Sequence, residues 1–203
     1  MYKEILYKNQ LEIIWVLKLF SNNFYLAWWT SIALHLWHRK SIDFDLFSNK
    51  EIKNSEILNK LKTNWYKIDR ILIDNKWEEL TIISSWVKLT FLYYPFSIKL
   101  EKEFEWIQIP SLEILCAMKF YTLWRRWKWK DYIDIYTILN SWYNLNNISK
   151  IAEKIFEWWY NEKLLREQLC YFDDIDYTED VDYLWQNIDN EKVKNFLCNI
   201  AIS

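Results

Sequence analysis

Glycine is absent from all 203 residues, although a globular chain of this length ordinarily carries roughly 14 at the usual share of about 7%. The absence removes the one residue that takes φ > 0 without steric cost, and with it the usual way to close a hairpin or end a helix. Long apolar runs are missing too. No segment has the about 20 unbroken apolar residues that cross a bilayer, and the N-terminus opens on charged residues instead of a signal-peptide core. A soluble, cytoplasmic protein with no membrane partner is expected. Cysteine is scarce: Cys116, Cys170 and Cys198 are odd in number, widely spaced and set in apolar or helical contexts, which predicts reduced thiols and excludes a cysteine metal cluster. A strong charge of either sign is also lacking. Lys plus Arg number 26 against 28 Asp plus Glu, a net charge of −2, so no global basic field advertises nucleic acid, although a local basic patch is compatible.

What stands in place of glycine is tryptophan, present 15 times. The surplus of one matches the deficit of the other, and position by position the tryptophans occupy sites that want no side chain. Trp28 and Trp29 sit at the sharp corner of "FYLAWWTSIALHLWHRKSIDFDLF". Trp65 and Trp142 follow helical runs and an Asn or Ser, where a residue with φ > 0 ends a helix. Trp77 and Trp86 lie between alternating apolar runs, where hairpin turns call for glycine. A β-carbon at such sites costs roughly 1–2 kcal/mol each. The pattern implies that most of these codons are read as glycine in the source, through a reassigned UGA codon.

The apolar spacing predicts an opening helix from Tyr2 to Phe20, a strand over Phe24 to Ala27, and a helix from Thr30 to Leu36. "SIDFDLF" follows as a strand with Ile42, Phe44 and Leu46 on one face and Asp43 and Asp45 on the other. "NSEILNKLKTN" reads as a helix capped by Asn54 or Ser55. "YKIDRILID", "EELTIIS" and "VKLTFLYYPF" read as successive antiparallel strands, and "EWIQIP" as a short strand before a helix opened by Pro110 and Ser111 and running to Leu123. The remainder is helical. The reading is an α+β fold, with a mixed sheet over 1–109 and a helical region over 110–203 that completes a cleft, and with no repeats and no low-complexity linker.

Two carboxylates at i and i+2 of a strand project together and can hold a divalent ion; Mg²⁺ favours such oxygen ligands and leaves room for substrate phosphates. A bare corner before a helix, with Thr30 and Ser31 at the helix N-terminus, offers N–H and hydroxyl donors to an anion. Together they describe a nucleoside triphosphate site. Arg125 and Arg126, with Lys128 and Lys130, read either as a loop that meets RNA phosphates or as a solubilising run. His35 and His38 lack the companions of a zinc site, and His35 is expected to pack or bond locally. "YFDDIDYTEDVDY" reads as solvated acidic surface, with mimicry of nucleic acid or a partner contact as the alternatives.

Read with glycine at 28, 29 and 37, the segment "LAWWTSIALHLWHRKSIDFDLF" resembles the signature of the AbiEii/AbiGii group of nucleotidyltransferase toxins, members of the polymerase-β-like superfamily. "IPSLEILCAMKFYTLWRRWKWKDYIDIYTIL" is similar to the second conserved region of that group. The resemblance implies that Asp43 and Asp45 are the metal ligands, that Lys119 faces the triphosphate, and that Asp131 is the further essential acid, with Asp134 as its rival. It implies a nucleotide-binding set of Trp28, Trp29, Thr30, Ser31, Arg39 and Lys119. Superfamily members usually place an acid on a neighbouring strand, where this chain offers only Thr90 and Tyr93. The implied activity is Mg²⁺-dependent transfer of a nucleotide from an NTP to an acceptor, with tRNA as acceptor and a separate antitoxin regulator as partner in a toxin–antitoxin or phage-defence pair. A housekeeping or drug-modifying nucleotidyltransferase, and an inactive nucleotide- or partner-binding relative, are the other readings.

Overall fold

The computed structural model describes residues 1–123, 128–185 and 187–203. Arg125 and Arg126, read above either as part of a loop that meets RNA phosphates or as a solubilising run, lie outside them.

The opening apolar periodicity buries Ile5, Ile13, Val16, Leu17 and Phe20, but in pieces: a 3-10 turn at Lys3–Ile5, then α1 (Lys8–Ile13) and α2 (Val16–Phe20). The single helix expected over Tyr2 to Phe20 is therefore corrected. Between α1 and α2 the ladder tightens to i+3 bonds, Leu17 N–H to the Ile14 carbonyl and Lys18 N–H to that of Trp15, each at 3.1 Å. The apolar face survives the break, so periodicity alone does not reveal it.

The central sheet follows as β1 (Tyr25–Leu26), α3 (Trp28–Leu36), β2 (Asp43–Ser48), α4 (Asn54–Thr63), β3 (Arg70–Asn75), β4 (Glu79–Ser84) and β5 (Val87–Tyr93). Its spatial order is β1-β2-β5-β4-β3, with β2 and β5 parallel and the other pairs antiparallel. α4, β3 and β4 supply the long crossover that a parallel pair requires. β2 lies second from the edge and is buried along its whole length, with Phe44 and Leu46 fully enclosed. Truncating a ring such as Phe44 to Ala costs about 3–5 kcal/mol.

β6 (Leu100–Phe104) and β7 (Ile107–Pro110) form a separate hairpin. β7 was expected; β6, mostly exposed and rich in charge, carries no apolar alternation to announce it. Among the described residues five α-helices follow, α5 (Leu112–Leu123), α6 (Trp129–Asn140), α7 (Leu145–Phe156), α8 (Glu162–Leu169) and α9 (Asn190–Ile202), with a 3-10 turn at Glu157–Trp159 between α7 and α8. α5 is enclosed along its length, packing on α3, α6 and α7. The buried apolar residues form one cluster from Ile5 to Ala201. No helix among the described residues is long and apolar enough to cross a membrane.

The cysteines depart from expectation. Cys170, after α8, and Cys198, within α9, are joined as a disulfide, with their Cα atoms 4.6 Å apart, while Cys116 is free and buried. A separation of 28 residues does not say that the two helices face each other.

Backbone strain concentrates at tryptophan. Nine described residues have φ between +36° and +75°: Trp28, Trp37, Trp65, Lys76, Ser85, Trp86, Glu105, Trp142 and Glu157. Five are tryptophan and each of the other four directly precedes one, the spacing of an X-Gly turn. Trp37 ends α3 at φ 52°, donating its N–H to the Ala33 carbonyl. Of the corner pair, only Trp28 has positive φ; Trp29 lies in the first turn of α3, and Trp77 follows the strained Lys76.

Candidate functional site

Alternation along β2 places Asp43 and Asp45 on one face, 5% and 3% exposed. The β2/β5 register sets Lys88 opposite Asp43 and Thr90 opposite Asp45. Lys88 Nζ lies 2.7 Å from Asp43 Oδ2. Burial opposes the charge on Lys88, but the carboxylates of Asp43 and Asp45 outweigh it and hold its pKa above that of an ordinary lysine. Asp43 and Lys88 open into a cavity of about 530 Å³, shared with Trp29, Arg39, Lys130 and Glu179.

α3 docks against these strands through the two hydroxyls expected to meet phosphate. Thr30 Oγ1 bonds Ser41 Oγ at 2.8 Å and donates to the Asp43 carbonyl, while Ser31 Oγ donates to the Leu26 carbonyl at 2.7 Å. Both side chains are fully buried, so in this state they fix the corner. Trp28 packs edge-on against Phe47.

The second group of polar residues comes from α5 and α6. Lys119 and Asp131, both with side chains 0% exposed, form an ion pair, and Lys119 also lies 3.4 Å from Asp134. Trp29 Nε1–H donates to Asp131 Oδ1 at 2.8 Å. Lys119, Lys128 and Lys88 converge on its indole, their Nζ atoms 5.0, 5.5 and 5.7 Å from a ring centroid. The indole thus fills the space between the α5/α6 group and the acids of β2. A glycine there would leave a pocket walled by three ammonium groups, the electrostatics that suit a polyphosphate.

Arg39 is engaged elsewhere. It is 2% exposed and grips Asp134 through Nε to Oδ1 and Nη2 to Oδ2, both at 2.9 Å. His38 Nε2 also meets Asp134 Oδ1, at 2.8 Å. Burial works against the Asp134 carboxylate, yet Arg39, Lys119 and His38 together hold its pKa far below the usual range. Burial lowers the pKa of His38, against the opposing pull of the Asp134 carboxylate that its Nε2 meets. The rivals for the further acid therefore differ: Asp131 adjoins Trp29 and Lys119, while Asp134 anchors a buried charge cluster. His35, expected to pack or bond locally, is half-buried and meets the Pro110 carbonyl at 3.2 Å, 75 residues away.

The acidic segment is not free surface throughout. Glu179 pairs with Lys128 and, at 3.3 Å, with Lys130. The Asp182 carboxylate accepts the Tyr7 hydroxyl and its carbonyl accepts Lys40 N–H at 2.8 Å. Arg39 and Tyr183 form an antiparallel bridge. Residues 179–183 thus run beside the cavity that holds Asp43. Sequence reasoning missed Lys88 and Glu179 as neighbours of the acids. Lys88 depends on a register set by a 38-residue crossover between β2 and β5, and the acidic run gave no sign of which carboxylate meets a lysine.

Among the described residues no group of three or more His, Cys, Asp and Glu is placed to hold a metal ion. The pair of Asp43 and Asp45 nevertheless fits Mg²⁺ in donor chemistry, two hard carboxylates on one face of a strand, with Asp43 lining the cavity.

Neither a protein-family model nor a curated relative matches the chain. Solved structures do. A candidate nucleotidyltransferase from H. pylori aligns at TM-score 0.56 with 16% identity, covering 100% of this chain and 95% of that one. The Helicobacter pylori protein JHP933 aligns at TM-score 0.56 with 15% identity, covering 97% and 92%. At this identity the likeness is one of fold: a mixed sheet with flanking helices, as in these proteins.

Proposed function

We propose that the chain is a Mg²⁺-dependent nucleotidyltransferase that moves a nucleoside monophosphate from an NTP to an acceptor, with tRNA the acceptor and abortive infection or a toxin–antitoxin pair its setting. The observation that carries this reading is the placement of Asp43 and Asp45 on β2, across the Trp29 indole from the Lys119–Asp131 pair. Asp43 and Asp45 would hold the metal, which when bound polarises phosphate oxygens and neutralises developing charge. The acceptor hydroxyl forms a bond to the α-phosphorus, the bond to pyrophosphate breaks, and the hydroxyl proton passes to water. Lys119 binds the triphosphate and Asp131 fixes the direction of its ammonium. Residues 1–109 supply the acids of β2 and Lys88, and 110–203 supply Lys119 and Lys128 of the cationic wall.

The reading includes glycine at the tryptophan positions, above all 28, 29 and 37. The clustering of positive φ at or just before tryptophan supports it, as does the convergence of three lysines on one indole. In a chain that keeps the indole at 29, the same observation favours a relative that binds a partner instead of a nucleotide. The antitoxin would be such a partner.

Incubation with each α-labelled NTP, Mg²⁺ and total tRNA, followed by ribonuclease digestion, tests the proposal. Label released only by ribonuclease supports a tRNA acceptor. Label on a small molecule supports the housekeeping or drug-modifying alternative, and no label supports the inactive one.

A further inference from the structure

A cation is already built into the acid pair. Lys88 is held on β5 by pairing on both sides, opposite Asp43 of β2 and Ile83 of β4, so its backbone is fixed. Its Nζ sits 2.7 Å from Asp43 Oδ2, the two side chains 31% and 7% exposed. Solvent and salt screen so enclosed a pair poorly. The residue opposite Asp45 on the same strand is the neutral Thr90, and among the described residues no third metal-ligating group joins the two acids. Two carboxylates and Lys88 leave one net negative charge from the protein, so beyond the first divalent ion any further one would be held by the triphosphate alone. A second divalent ion would add two more positive charges beside an ammonium that cannot leave its strand.

We propose that Lys88 takes the place of a second cation at this site, so that Asp43 and Asp45 hold one divalent ion per chain. The inference rests on the nucleotidyl-transfer reading above and deepens it. Two-metal sites clamp the attacking and leaving oxygens with a pair of ions; here the ammonium supplies the charge of one. Lys88 faces the cavity shared by Trp29 and Lys130, so a phosphate entering it meets the ammonium together with the bound ion.

The test counts ions. The full chain with glycine at 28 and 29 is titrated with Mn²⁺ by equilibrium dialysis at a saturating methylene-bridged NTP analogue, the ion in excess on the protein side being counted per chain and spin coupling read by electron paramagnetic resonance. With the wild-type acids and Lys88 it is expected to take up one ion with no spin-coupled pair, and Asp45→Asn to hold that ion more weakly. Lys88→Met is expected to take up a second ion or to bind the first about tenfold tighter, the scale of a like-charge contact that is only partly screened. Lys88→Arg, which keeps the charge, stays at one. A spin-coupled pair in wild type overturns the proposal and leaves nucleotidyl transfer standing, even if Lys88→Met does not fold. Unchanged stoichiometry and affinity in folded Lys88→Met also overturns it, since a purely structural Lys88 would move stability alone. No Mn²⁺ bound by wild type sinks the transfer reading itself.

Discussion

Arg39 and Asp134 are locked together by two parallel bonds of 2.9 Å, the guanidinium 2% and the carboxylate 0% exposed. His38 and Lys119 close on the same carboxylate, so one buried acid ties the segment after α3 to both α5 and α6. Removing the charge leaves Arg39 and Lys119 short of a partner in a medium that solvates them badly. Asp134→Asn is therefore expected to cost about 3–5 kcal/mol, the range for breaking a buried pair, read as a lower urea midpoint. Because its folded pKa is depressed, Asp134 contributes stability that is fully present above the unfolded value of 3.8 and is lost progressively as the pH falls below it toward the folded pKa.

His35 gives stability a second pH dependence at milder acidity. Burial, joined by the charge of Lys102, lowers its pKa from 6.5 to about 4, against the opposing bond to the Pro110 carbonyl. The unfolded chain thus binds a proton that the folded chain refuses between these values. Stability present above pH 6.5 falls as the pH drops toward 4, by up to roughly 3 kcal/mol. His35→Gln should flatten that limb of a denaturation series while leaving stability at pH 7 nearly unchanged.

Trp65, Trp86 and Trp142 test the cost of indoles at turns without loss of packing, being 94%, 88% and 100% exposed with φ of 64°, 66° and 75°. Glycine at each should stabilise by about 0.5–1 kcal/mol, the relieved left-handed strain less the added freedom of the unfolded chain. The triple variant should melt several degrees higher. An unchanged or lower melting temperature would mean these turns have no strain to relieve.

Trp29→Gly should open the space on which Lys88, Lys119 and Lys128 converge. Equilibrium dialysis with a labelled NTP should then show binding at least about tenfold tighter than with the indole in place, with the gain falling as salt rises. Equal affinity would place the phosphates elsewhere.

Much of this arrangement is legible in the sequence because it is local. Alternation puts Asp43 and Asp45 on one face of β2, and the helix-stop and hairpin patterns point to the turns at Trp65, Trp86 and Trp142. What escapes is set by partners far along the chain. Lys88 reaches Asp43 through a parallel register, Glu179 reaches Lys128 across 51 residues, and Cys170 meets Cys198 because α8 packs on α9. β6 escapes for another reason: an exposed, charged hairpin arm has no apolar pattern to read. Arg39, grouped with the nucleotide set by motif, is found on Asp134 since its strongest available partner is an acid 95 residues away.

Nucleotide transfer with and without one strand-borne acid tests the account most directly. The chain bearing glycine at 28 and 29 is incubated with α-labelled NTPs, Mg²⁺ and tRNA, alongside its Asp45→Ala counterpart, with folding of both verified by circular dichroism. The expected result is label in RNA from the first and a rate at least about 10³-fold lower from the second. Equal labelling by the two folded proteins, or none by the first, would contradict the assignment of Asp43 and Asp45 as the centre of the reaction.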